Sequence, residues 1–280
     1  MKHMPQRGLS TIELLVALAI SSFLILGITQ VYLDSKRNYL YQQNQANNQE
    51  SGRFATLLIN EYLSRAGYRR APEQLMETAF PARAADTDCM AFLAGSAVTA
   101  ARSDIGVCLR YQPMRSGELD CQGSASAAFT DTQAFTAAPL ASTITMVLRY
   151  VPGTGTNLHQ GQLQCKSLSA PAPAYVELLS GIADLRMEFG LTKDSSSLEK
   201  EIRTYVTSSS WTTAQGAIRS VRYSMLLSSN ERQRDGGDTQ VLTDWLATAP
   251  AANKTRLLGG DKNRIYQVAG STQIIRNLMP

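Results

Sequence analysis

The stretch Gly8–Leu18, GLSTIELLVAL, decides the fold because it opens a long apolar run that contains a single carboxylate. A charged side chain in the hydrocarbon region of a membrane costs about 2.5–3.5 kcal/mol on insertion scales. Glu13 therefore needs either a partner or a position at the level of the lipid headgroups. The residues alone leave both alternatives open.

The apolar run covers residues 9–33 and follows a short basic segment with Lys2 and Arg7. At 1.5 Å per residue, a helix of this length spans a hydrocarbon core of ~30 Å. The basic start predicts a cytoplasmic N-terminus, although Lys36 and Arg37 on the other flank weaken the charge asymmetry. We therefore expect a single membrane-spanning helix.

A secretory signal peptide is the first alternative, since it shares the basic start and the apolar stretch. It would end in a cleavage site of small residues near positions 25–35, and the sequence there has none. The triplet Ala17–Ala19 fits the cleavage rule but lies in the middle of the apolar run. The pattern favours a retained helix.

The helix is predicted to continue beyond the apolar run, because no proline occurs between Pro5 and Pro72. Apolar residues then recur on one helical face: Ala55, Leu58, Ile59, Tyr62, Leu63 and Ala66. The simplest interpretation is one helix over about residues 9–66, about 85 Å long. Gly27 and Gly52 are its expected weak points, and the segment 66–68 is a plausible end.

Four cysteines lie downstream of the apolar run, and none forms a CxxC pair: Cys89, Cys108, Cys121 and Cys165. An even number beyond a membrane segment favours disulfides over metal binding. Four cysteines allow three connectivities, and buried free thiols are the alternative. Pairing neighbours in order would stabilise the fold by about 3 and about 4 kcal/mol, if loop-closure entropy governs the effect.

The soluble part after Pro72 reads as short strands separated by turns. Strands are predicted at 105–111, 144–151, 184–191 and 221–227, with one or two more in 264–276. The stretches 123–141 and 195–197 are predicted loops. A long helix followed by antiparallel strands predicts an α+β fold.

No residue pattern indicates catalysis, a cofactor or a metal site. Of the two histidines, His3 precedes the apolar run and His159 stands alone in a glycine-rich loop, where we expect it to be exposed. The segment Asp86–Asp88 lacks the glycine and distal glutamate of an EF-hand. Trp211 and Trp245 are interpreted as core or edge packing. The net charge of +4 is mild and scattered, so we expect no nucleic-acid binding. Because no catalytic pattern is found, we also expect no enzymatic activity.

The N-terminus resembles the prepilin signal of type IV pilins and type II secretion pseudopilins: a basic leader ending in Gly8, an apolar segment, and Glu13 four residues after Leu9. The downstream sequence resembles the PilW family of minor type IV pilins. This resemblance rests on a succession of short segments: Ser51–Ala55, Ala66–Tyr68, Asp120–Gly123, Leu163–Cys165, Gly181–Leu185, Trp211, Ala217–Val221 and Arg276–Asn277.

The resemblance implies a processing pathway for the N-terminus. An inner-membrane prepilin peptidase would cut after Gly8 and methylate the new amine of Leu9, which stands where phenylalanine is common in the family. Glu13 would then pair with the N-terminal amine of a neighbouring subunit.

The implied organisation has four parts. They are a leader peptide (1–8), a membrane and filament-core half-helix (9–33), an amphipathic half-helix (34–70) and a periplasmic or extracellular β-rich domain (71–280). The implied fold is type IV pilin-like, with the long helix packed on an antiparallel β-sheet and the cysteine pairs holding loops on that sheet.

The implied function is that of a minor pilin near the pilus tip. It would sit in the inner membrane before assembly and on the cell surface afterwards. It would join other minor pilins and the major pilin, prime pilus assembly, help to display a tip adhesin, and so serve twitching motility and adhesion. Two alternatives remain: a J-type minor pseudopilin of type II secretion, and a membrane-anchored periplasmic binding module or enzyme.

Overall fold

The computed structural model describes residues 10–102, 105–192, 201–232 and 239–279. This part of the chain contains one long helix, α1 (Thr11–Arg65), and three short ones: α2 (Met76–Ala79), α3 (Gln240–Ala247) and α4 (Ala251–Leu258). It also contains nine strands: β1 (Val98–Ala100), β2 (Ile105–Tyr111), β3 (Ile144–Val151), β4 (Gln162–Ser167), β5 (Val176–Ser180), β6 (Ile182–Leu191), β7 (Thr204–Thr207), β8 (Ile218–Ser228) and β9 (Tyr266–Ile274).

The strands form two antiparallel sheets. The first sheet has the order β1-β2-β3-β4-β5 and the second the order β7-β6-β8-β9. The predicted α+β class, with a long helix packed on antiparallel strands, is confirmed, and β2 and β3 match the predicted strands residue for residue. Two points are refined: there are two sheets, and the segment 264–276 supplies one strand, β9.

One hydrophobic core joins both sheets to the second half of α1. The helix contributes the buried side chains Ala55, Ile59 and Leu63, which the predicted apolar stripe contains. From β6, Leu185, Met187, Phe189 and Leu191 all enter this core, as their alternation predicts. The globular part therefore packs only against the C-terminal half of the long helix.

The helix α1 ends where the sequence predicted. Ala66 leaves the helical conformation, and Gly67 follows with φ +74°, which favours glycine because a Cβ is strained there. The side-chain amide of Asn277 donates to the carbonyls of Ser64 (2.9 Å) and Ala66 (3.1 Å). The C-terminal segment of the chain thus satisfies carbonyls that the end of a helix leaves without partners.

The helix α1 runs through Gly27 and Gly52 without interruption, so neither glycine breaks it, and their cost to its stability stays a prediction. Gly52 lies against the second sheet. A Cβ built there would approach Leu227 Cδ1 to 2.8 Å and Ala269 Cβ to 3.0 Å, whereas a Cβ at Gly27 would meet nothing within 4 Å. Glycine at position 52 therefore permits close helix–sheet packing.

Replacing Gly52 with leucine is expected to destabilise the globular part by about 1–3 kcal/mol, because the added side chain overpacks the helix–sheet contact. Gly27→Leu is the matched control, since it makes the same change on the same helix in open space. Chemical unfolding of the full chain in detergent, followed by circular dichroism, measures both. Equal unfolding midpoints for the two variants would contradict the packing role of Gly52.

The hairpin α3–α4 forms a second, smaller core on the other face of the second sheet. Leu242, Trp245 and Leu246 of α3 and Leu257 of α4 pack with Leu158, Ala183, Leu226 and Tyr266. Trp211 and Trp245 are both buried, in agreement with their interpretation as packing residues.

Beneath this hairpin lies a carboxylate with no solvent exposure, that of Asp184. It accepts hydrogen bonds from Trp245 Nε1 (2.8 Å), Asn253 Nδ2 (3.1 Å) and Arg256 Nη2 (2.6 Å). Burial raises the pKa of Asp184, and the bonds from Trp245 and Arg256 oppose that rise. The carboxylate of Asp184 on β6 therefore forms hydrogen bonds to both α3 and α4 and holds the hairpin on the sheet.

Candidate functional site

The N-terminal half of α1 is an apolar surface that the rest of the described chain does not cover. Every side chain from residue 11 to residue 39 is exposed, and the exposure of the large apolar ones ranges from 49% at Leu33 to 76% at Phe23. An 18-residue window of this helix has a mean hydropathy of 2.3, with none of it buried. By length and composition the helix could cross a membrane. An exposed apolar surface of this size favours contact with an apolar environment.

Glu13 takes part in a capping box at the start of this helix. Its Oε2 accepts a hydrogen bond from the backbone N–H of Ser10 (3.0 Å), while Ser10 Oγ accepts from the N–H of Ile12 (3.4 Å). Free backbone donors at a helix start are satisfied in this way. Glu13 therefore has a local partner in the isolated chain, in addition to any partner in an assembly.

The sequence carries a local signal for this capping box that the charge of Glu13 alone does not reveal. Ser10-Thr11-Ile12-Glu13 has the spacing [ST]-x-x-[DE] directly before an apolar run. Of the other predicted N-terminal residues, Gly8 and Leu9 lie outside the described residues. Cleavage after Gly8 and methylation of Leu9 stay predictions.

A collar of aromatic and basic residues follows the apolar part of the helix. Tyr32, Tyr39 and Tyr41 are exposed there, and Lys36 and Arg37 lie between them in sequence. Tyrosine, lysine and arginine are the residues that anchor helices at a membrane–water interface. The collar therefore suits the predicted change from membrane half to amphipathic half near residue 33.

The four cysteines form two disulfides in the first sheet. Cys89 pairs with Cys108 on β2 (Cα–Cα 6.0 Å), and Cys121 pairs with Cys165 on β4 (Cα–Cα 6.3 Å). This arrangement agrees with the prediction of disulfides. Each bond ties a loop residue to a strand, so the loops before β1 and after β2 are fixed on the sheet.

Arg70 holds the low-complexity stretch after β2 in place. The side chain of Arg70 is buried, and its guanidinium lies 5.1 Å from the centre of the Phe129 ring. The guanidinium donates hydrogen bonds to four main-chain carbonyls: those of Met114, Asp131, Gln133 and Thr136. No local sequence pattern predicts this role of Arg70, because its carbonyl partners lie 44 to 66 residues away along the chain. The predicted loop 123–141 is irregular, as expected, but ordered by this contact.

The acidic segment Asp86–Asp88 forms bonds within the protein. Asp88 accepts from Lys166 Nζ (2.8 Å) and Tyr175 Oη (2.6 Å). Burial alone would raise the pKa of Asp88, but the bonds from Lys166 and Tyr175 outweigh burial and lower it. Among the described residues, no group of three or more His, Cys, Asp or Glu side chains could hold a metal ion.

His159 is half-buried, so the expectation that it is exposed is wrong. It follows the buried Leu158, which anchors this turn in the core under α3–α4. Burial lowers the pKa of His159, and the nearby cation of Arg264 lowers it further.

The predicted functional residues are not gathered into one site. Glu13 lies at the free end of α1, and the disulfides lie in the globular part at the other end of a 55-residue helix. At 1.5 Å per residue the helix is about 80 Å long. The candidate site is therefore an extended interface along α1.

Comparison with protein families finds a match in the second half of the chain. Residues 149–277 match the family described as Type IV Pilus-assembly protein W. The PilW resemblance is thereby confirmed over a little under half of the chain. The PilW match extends from the end of β3 to Asn277, so it includes the residue whose amide binds the carbonyls at the end of α1.

Comparisons with individual proteins give less information than the family match. No curated protein matches this chain. Among solved structures, a type IV-like pilin from Thermus thermophilus is similar, with 12% sequence identity and a TM-score of 0.41. The alignment covers 84% of this chain and 97% of that chain.

Proposed function

We propose that this protein is a minor pilin of a type IV pilus, without enzymatic activity. The observation that carries the proposal is the uncovered apolar half of α1, which is continuous with a second half that packs into a folded domain. Such a surface needs a membrane before assembly and neighbouring helices afterwards. The PilW match over residues 149–277 supports the same reading.

In this proposal the prepilin peptidase removes residues 1–8 and methylates Leu9 while the helix spans the inner membrane. Glu13 then exchanges or shares its bond to the Ser10 amide with the N-terminal amine of a neighbouring subunit. A carboxylate has two oxygens that each accept more than one hydrogen bond, so the capping box does not exclude this pairing.

The large globular part favours a place near the pilus tip. About 210 residues follow the helix and form two sheets and a helical hairpin. A domain of this bulk fits poorly along a tightly packed shaft but can cap it. There the protein would join other minor pilins and the major pilin to prime assembly, help to display a tip adhesin, and support motility and adhesion.

Mass spectrometry of filaments sheared from cells tests the proposal. We expect a peptide that begins at methylated Leu9 in the sheared fraction. Retention of the protein in the envelope with residues 1–8 attached would overturn the proposal. Deleting the gene distinguishes the related alternative, since loss of twitching supports a pilus subunit and loss of protein secretion supports a type II pseudopilin.

A further inference from the structure

The strand β9 forms one edge of the second sheet. β8 pairs with it on one side, and no strand of the described chain pairs with it on the other. An edge strand presents a row of backbone N–H and C=O groups to any extended segment that approaches it. Natural proteins therefore protect edges that must stay free.

The other sheet edges carry such protection. β1 has three residues and β7 has four, while β5 carries Glu177 and pairs with β4 through a register shift. Short length, charge and bulges are the usual devices that stop a further strand from pairing. These three edges are thus poor docking sites.

β9 has none of these devices. It is nine residues long, its sequence YQVAGSTQI contains no charged residue and no proline, and it pairs with β8 in continuous register. Ala269 and Ser271 face α1, whereas Val268 (48% exposed) and Ile274 (46% exposed) point to solvent on the opposite face. An added strand would find open backbone groups and apolar side chains to pack against.

The direction of β9 relative to α1 argues against pairing of β9 with the same strand of a second copy. Asn48 contacts Ile265, Gly52 faces Ala269 and Asn60 contacts Ser271, so α1 and β9 run the same way. Antiparallel pairing of β9 with its equivalent in a second copy would therefore point the two long helices in opposite directions. This step rests on the proposed function, in which all helices enter the membrane from the same side.

We propose that β9 is a docking edge for an extended, uncharged segment of a different protein. The segment adds to the second sheet as an antiparallel strand next to β9. Antiparallel pairing is favoured because its hydrogen bonds are slightly more stable per residue than those of parallel pairing. The partner's alternate side chains pack on Val268 and Ile274.

Site-specific photo-crosslinking of the full chain in the membranes of its own cells tests this proposal. A photoreactive amino acid is placed at Thr272 on the open edge or, as a matched control, at Thr204 on the short β7 edge of the same sheet; both positions are exposed. We expect a discrete adduct from position 272 at least tenfold more abundant than from 204. Mass spectrometry should map the partner to an uncharged segment of another protein.

The substitution Val268→Lys places a charge beside the open edge, as natural edges do. With the probe at position 272, we expect it to reduce the adduct at least tenfold, while Thr204→Lys leaves the adduct unchanged. The unfolding midpoints of the purified variants verify that both fold.

Four results would overturn the proposal: no adduct at 272, equal adducts at both positions, a partner peptide from a second copy, or an adduct that survives Val268→Lys. None of these results depends on incorporation into filaments. Failure of this proposal is therefore distinct from failure of the minor-pilin proposal, which is read from the N-terminal peptide of sheared filaments.

Discussion

Replacing Glu13 with glutamine is expected to reduce the amount of this protein in sheared filaments at least tenfold. A glutamine oxygen still accepts the hydrogen bond from the Ser10 amide, so the capping box and the helix start are kept. Only the charge is lost. In the proposed assembly this leaves the neighbour's amine without its partner in an apolar surrounding, and breaking such a buried pair costs about 3–5 kcal/mol.

The measurement is quantitative mass spectrometry of the sheared fraction, normalised to the amount of protein in the membrane. Glu13→Ala, which removes both the charge and the cap, should lower incorporation as strongly as Glu13→Gln. Glu50→Gln is the matched control, because it makes the same change at an exposed position of the same helix. If Glu13→Gln assembles like the unchanged protein, Glu13 serves only to cap the helix, and the pairing hypothesis fails.

Replacing Asp184 with alanine is expected to destabilise the globular part by about 3–5 kcal/mol, because it removes the acceptor of three hydrogen bonds and leaves the partly buried guanidinium of Arg256 without its counter-charge. Arg256 loses a bond of 2.6 Å, and the indole N–H of Trp245 loses its acceptor. The hairpin α3–α4 should loosen first, since both of its helices are held by this carboxylate.

Thermal unfolding and tryptophan fluorescence measure the two parts of this prediction. We expect a lower midpoint for Asp184→Ala and a shift of the Trp245 emission towards longer wavelength in the folded state. Asp244→Ala is the control, because Asp244 lies on the same hairpin but is exposed, and its loss should change stability by no more than about 0.5 kcal/mol. Similar behaviour of both variants would show that Asp184 does not fasten the hairpin.

Local patterns predicted the longer elements of this fold. The bounds of β2 and β3 followed from short apolar runs between turn residues, and the course of α1 followed from the absence of proline and the apolar stripe. The strands β1, β4, β5 and β7 and the short helices α2, α3 and α4 were missed, since elements of three to eight residues carry little periodicity. The division into two sheets depends on long-range strand pairing, which no local pattern encodes.

The polar contacts likewise divide into local ones, which the sequence could predict, and long-range ones, which it could not. The Ser10–Glu13 capping box spans three residues and was readable from the sequence, whereas the bonds of Asp184 join residues 61 to 72 positions apart. Gly52 looked like a helix weakness because propensity considers the helix alone. The nearby Ala269, which explains the glycine, lies more than 200 positions further along the chain.

The contact between α1 and β9 also sets an order of events in the synthesis of the protein. Asn48 bonds to a carbonyl 217 positions later, and Asn277 reaches back over 213 positions to Ser64. The ribosome therefore releases the helix long before the strand on which it packs exists. Because N-terminal segments leave the ribosome first, the apolar half of α1 can insert into a bilayer before β9 is synthesised. The amphipathic half of α1 has no sheet to pack on during that time. Folding of the globular part is then a late, non-local and comparatively slow step, and chaperones outside the membrane would have that interval in which to act.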